Sequence, residues 1–207
     1  PDASPPSGQP GPTLVSPTMV SPTIVSPTQM AALTSWMARC QAQYGDRPKF
    51  IISPSALLPL QSKHTGESRS QCDGWYAYPQ SIRDLHHSLF ATGCTNPVML
   101  SGDLHASFAC EMTLKDASGA RASLLALVFS PQYAPYCFIN TRTGDTEAQW
   151  QESWQTRQGC HGWEYQRLWD DDRYQGFGLI RVEQRNGQWH ITLGAPLQAL
   201  EPFDIAL

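Results

Sequence analysis

The apolar residues of this chain follow one period before residue 101 and another after it, and that switch limits the folds open to it. Met30, Leu33, Trp36, Met37, Cys40 and Tyr44 recur at helical spacing, with Thr28 able to cap the start and Gly45 able to end it. Asp46 to Pro48 reads as a turn, and Lys49 to Ser53 as a short strand stopped by Pro54. After a polar stretch from 61 to 74, Ile82, Leu85, Leu89 and Phe90 predict a second helix, with Pro79 in its first turn and an end near Gly93. Val98 to Ser101 is a second short strand. Beyond it the period becomes two. Phe108, Cys110, Met112 and Leu114 alternate with polar or small residues, Asp116 to Gly119 can turn the chain, and Ser123 to Phe129 returns as a more fully buried strand. A second hairpin is predicted from Phe177 to Glu183 and Gln188 to Leu193, around Asn186-Gly187. Helices alternating with strands, then antiparallel hairpins, make a layered α/β protein.

The first 28 residues stand apart. They are rich in Pro, Ser and Thr and repeat a pentapeptide three times, at Leu14 to Thr18, Met19 to Thr23 and Ile24 to Thr28. A proline every five residues fixes φ and removes backbone donors, which favours an extended linker over helix or sheet. The expected organisation is a disordered linker over 1–28 and a folded region over 29–207.

Charge removes some partners from consideration. Fourteen Lys and Arg against 18 Asp and Glu give a net charge of -4, without the positive field that nucleic acid binding needs. No apolar run reaches the roughly 20 residues of a membrane-spanning helix. The six cysteines, at 40, 72, 94, 110, 137 and 160, lack the close spacing of a structural zinc site or a redox pair. Cys40 and Cys110 fall on apolar faces, where buried free thiols are expected.

Gly102-Asp103-Leu104-His105 follows a predicted strand directly. Glycine permits a tight turn, the carboxylate is a hard anionic donor, and an imidazole two residues later can reach the same ion. An Asp-x-His triplet also occurs by chance as an ordinary surface or capping turn, so the pattern alone leaves both readings open. Other candidates weigh less. His86 borders the apolar stripe of its helix and His87 faces solvent; both read as structural. His64 lies in a polar loop near Lys63, and His161 beside Cys160 is a conceivable but small metal pair. Asp170 to Asp172 lacks the spaced oxygens of a calcium loop and reads as a solvated charge run.

Several blocks in order carry a family resemblance. Met99 to Ser107, with its strand leading into Gly-Asp-x-His, resembles the last ligand block of the PhoD-like alkaline phosphatases. Gln29 to Trp36 followed by Arg47 to Ser53 is similar to that family's Gln-containing helix and next strand. Asp73 to Pro79, with Arg83 in the following helix, resembles its Asp-x-Trp-x-x-Tyr-Pro block, although Arg83 comes one position late. Ser130 to Tyr136 is similar to its Ser-Pro loop, and the last hairpin also has a counterpart. Agreement over about residues 29 to 195 is far more specific than any single block.

The resemblance implies part of a calcineurin-like metallophosphoesterase fold, with packed mixed β-sheets flanked by helices and two C-terminal antiparallel hairpins. It implies Asp103 and His105 as metal ligands and catalytic residues, with Asp73 and Trp75 on the substrate side. The implied activity is metal-dependent hydrolysis of a small phosphate mono- or diester by a metal-activated water. A carboxylate at position 103 ranks iron with calcium above zinc or manganese. Two metals need more protein ligands than Asp103 and His105 supply, and the family's earlier ligand blocks do not appear before Gln29. The expected partner is therefore a missing N-terminal half of the domain. The alternative is a non-catalytic remnant or binding module that keeps the C-terminal half of the fold. By analogy with the family the protein is exported, although the chain carries no signal peptide of its own.

Overall fold

Ser26 closes the first helix as a capping box. Its Oγ accepts from Gln29 N at 3.2 Å, while Gln29 Oε1 accepts from Ser26 N at 3.0 Å. Helix α1 therefore spans Pro27–Tyr44 with proline in its first turn, and the cap is Ser26 rather than Thr28. Gly45 ends it with φ 58, as its sequence position suggested. The computed structural model describes residues 22–57, 74–102, 107–129, 148–171, 178–194 and 203–207.

Strand β1 (Lys49–Ser53) follows α1, and a short 3₁₀ turn, Trp75–Ala77, leads into α2 (Pro79–Thr92), ended by a left-handed Gly93. Then come β2 (Pro97–Ser101), β3 (Ser107–Lys115), β4 (Arg121–Val128), β5 (Gln149–Thr156) and β6 (Gly159–Asp171). Strands β7 (Leu179–Arg185), β8 (Gln188–Gly194) and β9 (Phe203–Ala206) complete the described elements. The first six strands form one mixed sheet in the order β1-β2-β4-β3-β6-β5. β1, β2 and β4 run parallel, while β3, β6 and β5 continue the sheet antiparallel. The last three form a separate antiparallel sheet, β7-β8-β9. The mixed α/β architecture matches expectation. The second sheet is antiparallel, not mixed, and the hairpin β5–β6 and strand β9 were not foreseen.

Side chains leave the large sheet on both faces. Met99, Met112 and Leu124 meet Met37, Leu85 and Leu89 of the helices. Val98, Ala109, Leu125 and Leu127 meet Ile191, Leu193 and Ile205 of the small sheet. Neighbours such as Val98 and Met99 are thus both fully buried, which explains why β2 and β4 read as continuous apolar runs. Each such side chain contributes about 1.5–3 kcal/mol by leaving water.

The end of the sheet where parallel strands begin is tied by Lys49. Its Nζ donates to Gln41 Oε1 at 2.7 Å, to Thr95 O at 2.9 Å and to Gly45 O. Burial lowers the pKa of this amine, with the neighbouring Cys94 and Asp46 opposing. Asp116 turns β3 into β4 by accepting from the N–H groups of Ser118 and Ala120, both at 2.9 Å. Asn186 and Gly187, with φ 52 and 84, make the tight hairpin turn predicted for them.

Candidate active site

Three parallel strands end together. Ser53 of β1 is in register with Ser101 of β2, and Ser101 with Val128 of β4. Phe129 N donates to Ser101 O at 3.1 Å, holding the first residue after β4 beside the last of β2. Ligand sites in open α/β sheets gather outside the carboxyl ends of the strands, and this edge is such a place. From it issue Gly102, which precedes Asp103, and Phe129, which precedes Ser130.

The path of the sheet fixes where the Asp103 segment starts and finishes. β2 pairs with β4 on one side and β3 pairs with β4 on the other. Phe108 of β3 lies opposite the same Val128 that faces Ser101. The connection from Gly102 to Ser107 therefore begins and ends on either side of the C-terminal end of β4, about 9.5 Å apart.

Trp75 comes to the same edge from a different part of the chain. Its backbone N donates to Ala56 O at 3.2 Å, and its indole Nε1 donates to Ser53 Oγ at 3.0 Å. The side chain is 3% exposed, so it packs as a plug beneath the turn that carries Gly74. Ser53 Oγ in turn donates to Ser55 O at 2.7 Å, and Ser101 Oγ donates to the same carbonyl at 3.2 Å. Sequence reasoning overlooked both serines. The signal was a small polar residue closing an apolar strand, in Ile51-Ile52-Ser53 and again in Met99-Leu100-Ser101.

Asp103, His105 and Asp73 themselves lie outside the described residues, as do His64 and the block Ser130 to Tyr136. The described residues that bracket Asp103 and His105 converge with Trp75 on one sheet edge, and Gly74 follows Asp73 directly.

The other candidates have structural surroundings. His86 is buried against Phe90 and Trp154, with ring centroids 4.7 and 5.0 Å away, and its Nε2 lies 3.0 Å from Lys115 O. His161 stacks on Trp154, and its Nε2 lies 3.1 Å from Thr156 Oγ1. Cys160 is exposed. His87 is exposed, as its helical position predicted. Arg83 places its guanidinium carbon 5.6 Å from the ring centroid of Trp154. Asp170 pairs with Arg167 at 3.2 Å near the end of β6, and Asp172 lies outside the described residues. Among the described residues no group of three or more His, Cys, Asp or Glu side chains could hold a metal ion. Cys94 and Cys110 are buried free thiols, Cys40 is a partly buried one, and burial pushes the Cys110 thiol up to about 12. A groove of about 730 Å³ lies over the polar face of β3, β6 and β5, lined by Glu111, Thr113, Gln149, Gln151, Glu164 and Gln166. It is the solvated side of a sheet and holds none of the candidate site residues.

A mixed sheet that gathers the ends of its parallel strands into one loop-bearing edge defines an α/β protein whose candidate site is that edge. A family model described as PhoD-like phosphatase matches residues 16–193, and the chain belongs to that family. No curated protein matches it. Membership points to phosphatase activity on a small-molecule substrate. Among the described residues no helix is long and apolar enough to cross a membrane.

Proposed function

We propose that this chain contributes the C-terminal part of a metal-dependent active site that hydrolyses phosphate mono- or diesters. Asp103 and His105 are the metal ligands, and Asp73 lies on the substrate side. The observation that carries the reading is the shared edge: Gly102, Trp75 and Phe129 stand together at the ends of the parallel strands, next to the three segments that the family resemblance singles out.

The donor set suits an ion. A carboxylate and an imidazole two residues apart combine a hard oxygen with a borderline nitrogen, which fits iron with calcium better than a thiolate-loving metal. When bound, such ions supply positive charge to the phosphate oxygens and make a water acidic enough to attack phosphorus. The protein's own part is to hold donors still. Ser101 closes β2 and Ser107 opens β3, so both residues flanking the candidate ligand segment are held in the sheet. Trp75, with its nitrogen committed to Ser53, serves by fixing the chain at Gly74, which follows Asp73, and not by offering a polar contact. The remaining ligands come from a segment equivalent to the front half of the domain, which is the partner this reading requires.

Metal content by elemental analysis, with turnover of an aryl phosphate ester on the same samples, tests the proposal. Bound iron or calcium, lost together with turnover in His105→Ala and Asp103→Asn, supports it. A folded chain that, joined to its front-half segment, still binds no metal and turns over no ester would overturn it in favour of a non-catalytic module.

A further inference from the structure

Ser53 is one of six buried polar side chains among the described residues, at 8% exposure, and its hydroxyl both accepts and donates a hydrogen bond. It accepts the indole N–H of Trp75 at 3.0 Å and donates its own hydrogen to Ser55 O at 2.7 Å. A carbonyl oxygen has two lone pairs, and Ser101 Oγ takes up the same Ser55 carbonyl at 3.2 Å. Ser101 O then accepts from Phe129 N at 3.1 Å. One continuous chain of hydrogen bonds therefore runs Trp75, Ser53, Ser55, Ser101, Phe129 across the ends of β1, β2 and β4. A hydroxyl has a single hydrogen to give, so Ser53, by donating to Ser55 O, is left to accept from Trp75 Nε1.

We infer that Ser53 is a positioning residue, which sets the turn after Asp73 at a fixed distance from the strand end that leads to Asp103. This rests on the proposed phosphoesterase reading. Two neighbouring features make the strap specific. Trp75 N is also bound to Ala56 O at 3.2 Å, so the indole and the backbone hold the same short segment from two sides. Ser53 and Ser101 are direct register partners on adjacent parallel strands, so nothing intervenes between the two halves of the strap. Ser53 touches no substrate. It acts through Trp75 on one side and through Ser55 and Ser101 on the other.

The test compares Ser53→Ala, Ser53→Thr, Trp75→Phe and the double variant Ser53→Ala with Trp75→Phe, beside wild type and His105→Ala. Each is assayed in the chain joined to its front-half segment, with a nitrophenyl phosphate ester for kcat and KM, for bound metal and for thermal midpoint. Ser53→Ala is expected to lower kcat by roughly ten- to a hundredfold with bound metal kept, as a misplaced reacting group does. Ser53→Thr, which keeps the hydroxyl, restores kcat. Trp75→Phe, which removes the N–H and keeps the ring, reproduces the loss and serves if Ser53→Ala fails to fold. The double variant is no worse than either single one, because both break the same bond. A wild-type chain that works and a His105→Ala chain that does not, with Ser53→Ala unchanged in kcat or lowered only in thermal midpoint, would overturn the positioning role and leave the phosphoesterase reading intact. Wild type joined to its front-half segment, without metal or turnover, would remove both.

Discussion

Acidification should unpick the contact between α2 and the β5–β6 hairpin through His86. This ring is 3% exposed, and its Nε2 lies 3.0 Å from the Lys115 carbonyl. A carbonyl can only accept, so Nε2 carries the hydrogen. Burial holds its pKa below the ordinary 6.5; the Lys115 carbonyl and Asp116 oppose that shift, while His161 and His87 add to it. The sign follows from where the proton binds. The unfolded chain takes it up near 6.5 and the folded chain only at lower pH, so stability rises with pH across that interval. The contribution is fully present above the unfolded value and lost as pH falls below it, until the buried ring also protonates. One proton corresponds to a slope of up to about 1.4 kcal/mol per pH unit. Urea unfolding of wild type and His86→Gln between about pH 7.5 and 5.5 measures it, since glutamine keeps a donor for Lys115 and cannot titrate. Asp116 does not interfere. The Ser118 hydroxyl is the largest cause lowering its carboxyl pKa, and its stabilisation is lost only in the more acidic carboxylate range. Parallel loss of stability in the two proteins would refute the reasoning.

Three further outcomes follow from the packing. In Gly178→Ala the new Cβ would lie 1.9 Å from Phe129 Cε1, so the ring must move, at a cost of about 1–3 kcal/mol in urea unfolding that Phe129→Ala relieves in the double variant. Lys49→Met strips partners from the carbonyls of Gly45 and Thr95 and should cost about 3 kcal/mol in the same assay. Iodoacetamide should modify exposed Cys160 readily in the native protein and buried Cys110 only after unfolding, as residue-resolved mass spectrometry would show.

Much of this fold was legible because its period was regular. The span of β1 matches the predicted 49–53, and α2 ends at Gly93 as its sequence position suggested. The β7–β8 hairpin announced itself through Asn186-Gly187, where two positive φ values are needed. The β5–β6 hairpin was hidden for physical reasons. Its turn at Arg157 and Gln158 carries no such dipeptide, Gly159 and Gly162 weaken the strand signal, and a bulge breaks the alternation where Ala109 pairs with Trp169 but Cys110 with Arg167. Strand β9 is four residues long, too short to show a period. At the candidate site, the segment Gly102 to His105 stood out in the sequence, whereas Ser53 and Ser101 did not. A serine at the end of a strand looks like any chain reversal until its neighbours across the sheet are known.

The capping box at Ser26 bears on how this protein can vary. The cap lies within the third copy of the pentapeptide, where Ile24 and Val25 pack against the core and Ile24 N donates to buried Ser81 Oγ at 3.0 Å. The second copy, Met19 to Thr23, carries the same Val-Ser-Pro-Thr ending. Deleting Ile24 to Thr28 would bring Ser21, Pro22 and Thr23 directly before Gln29 and recreate a serine cap, a proline in the first turn and a glutamine three residues after the serine. Gain or loss of a whole repeat thus restores the same junction, and the spacer can change length in steps of five residues without shifting the first turn of the helix.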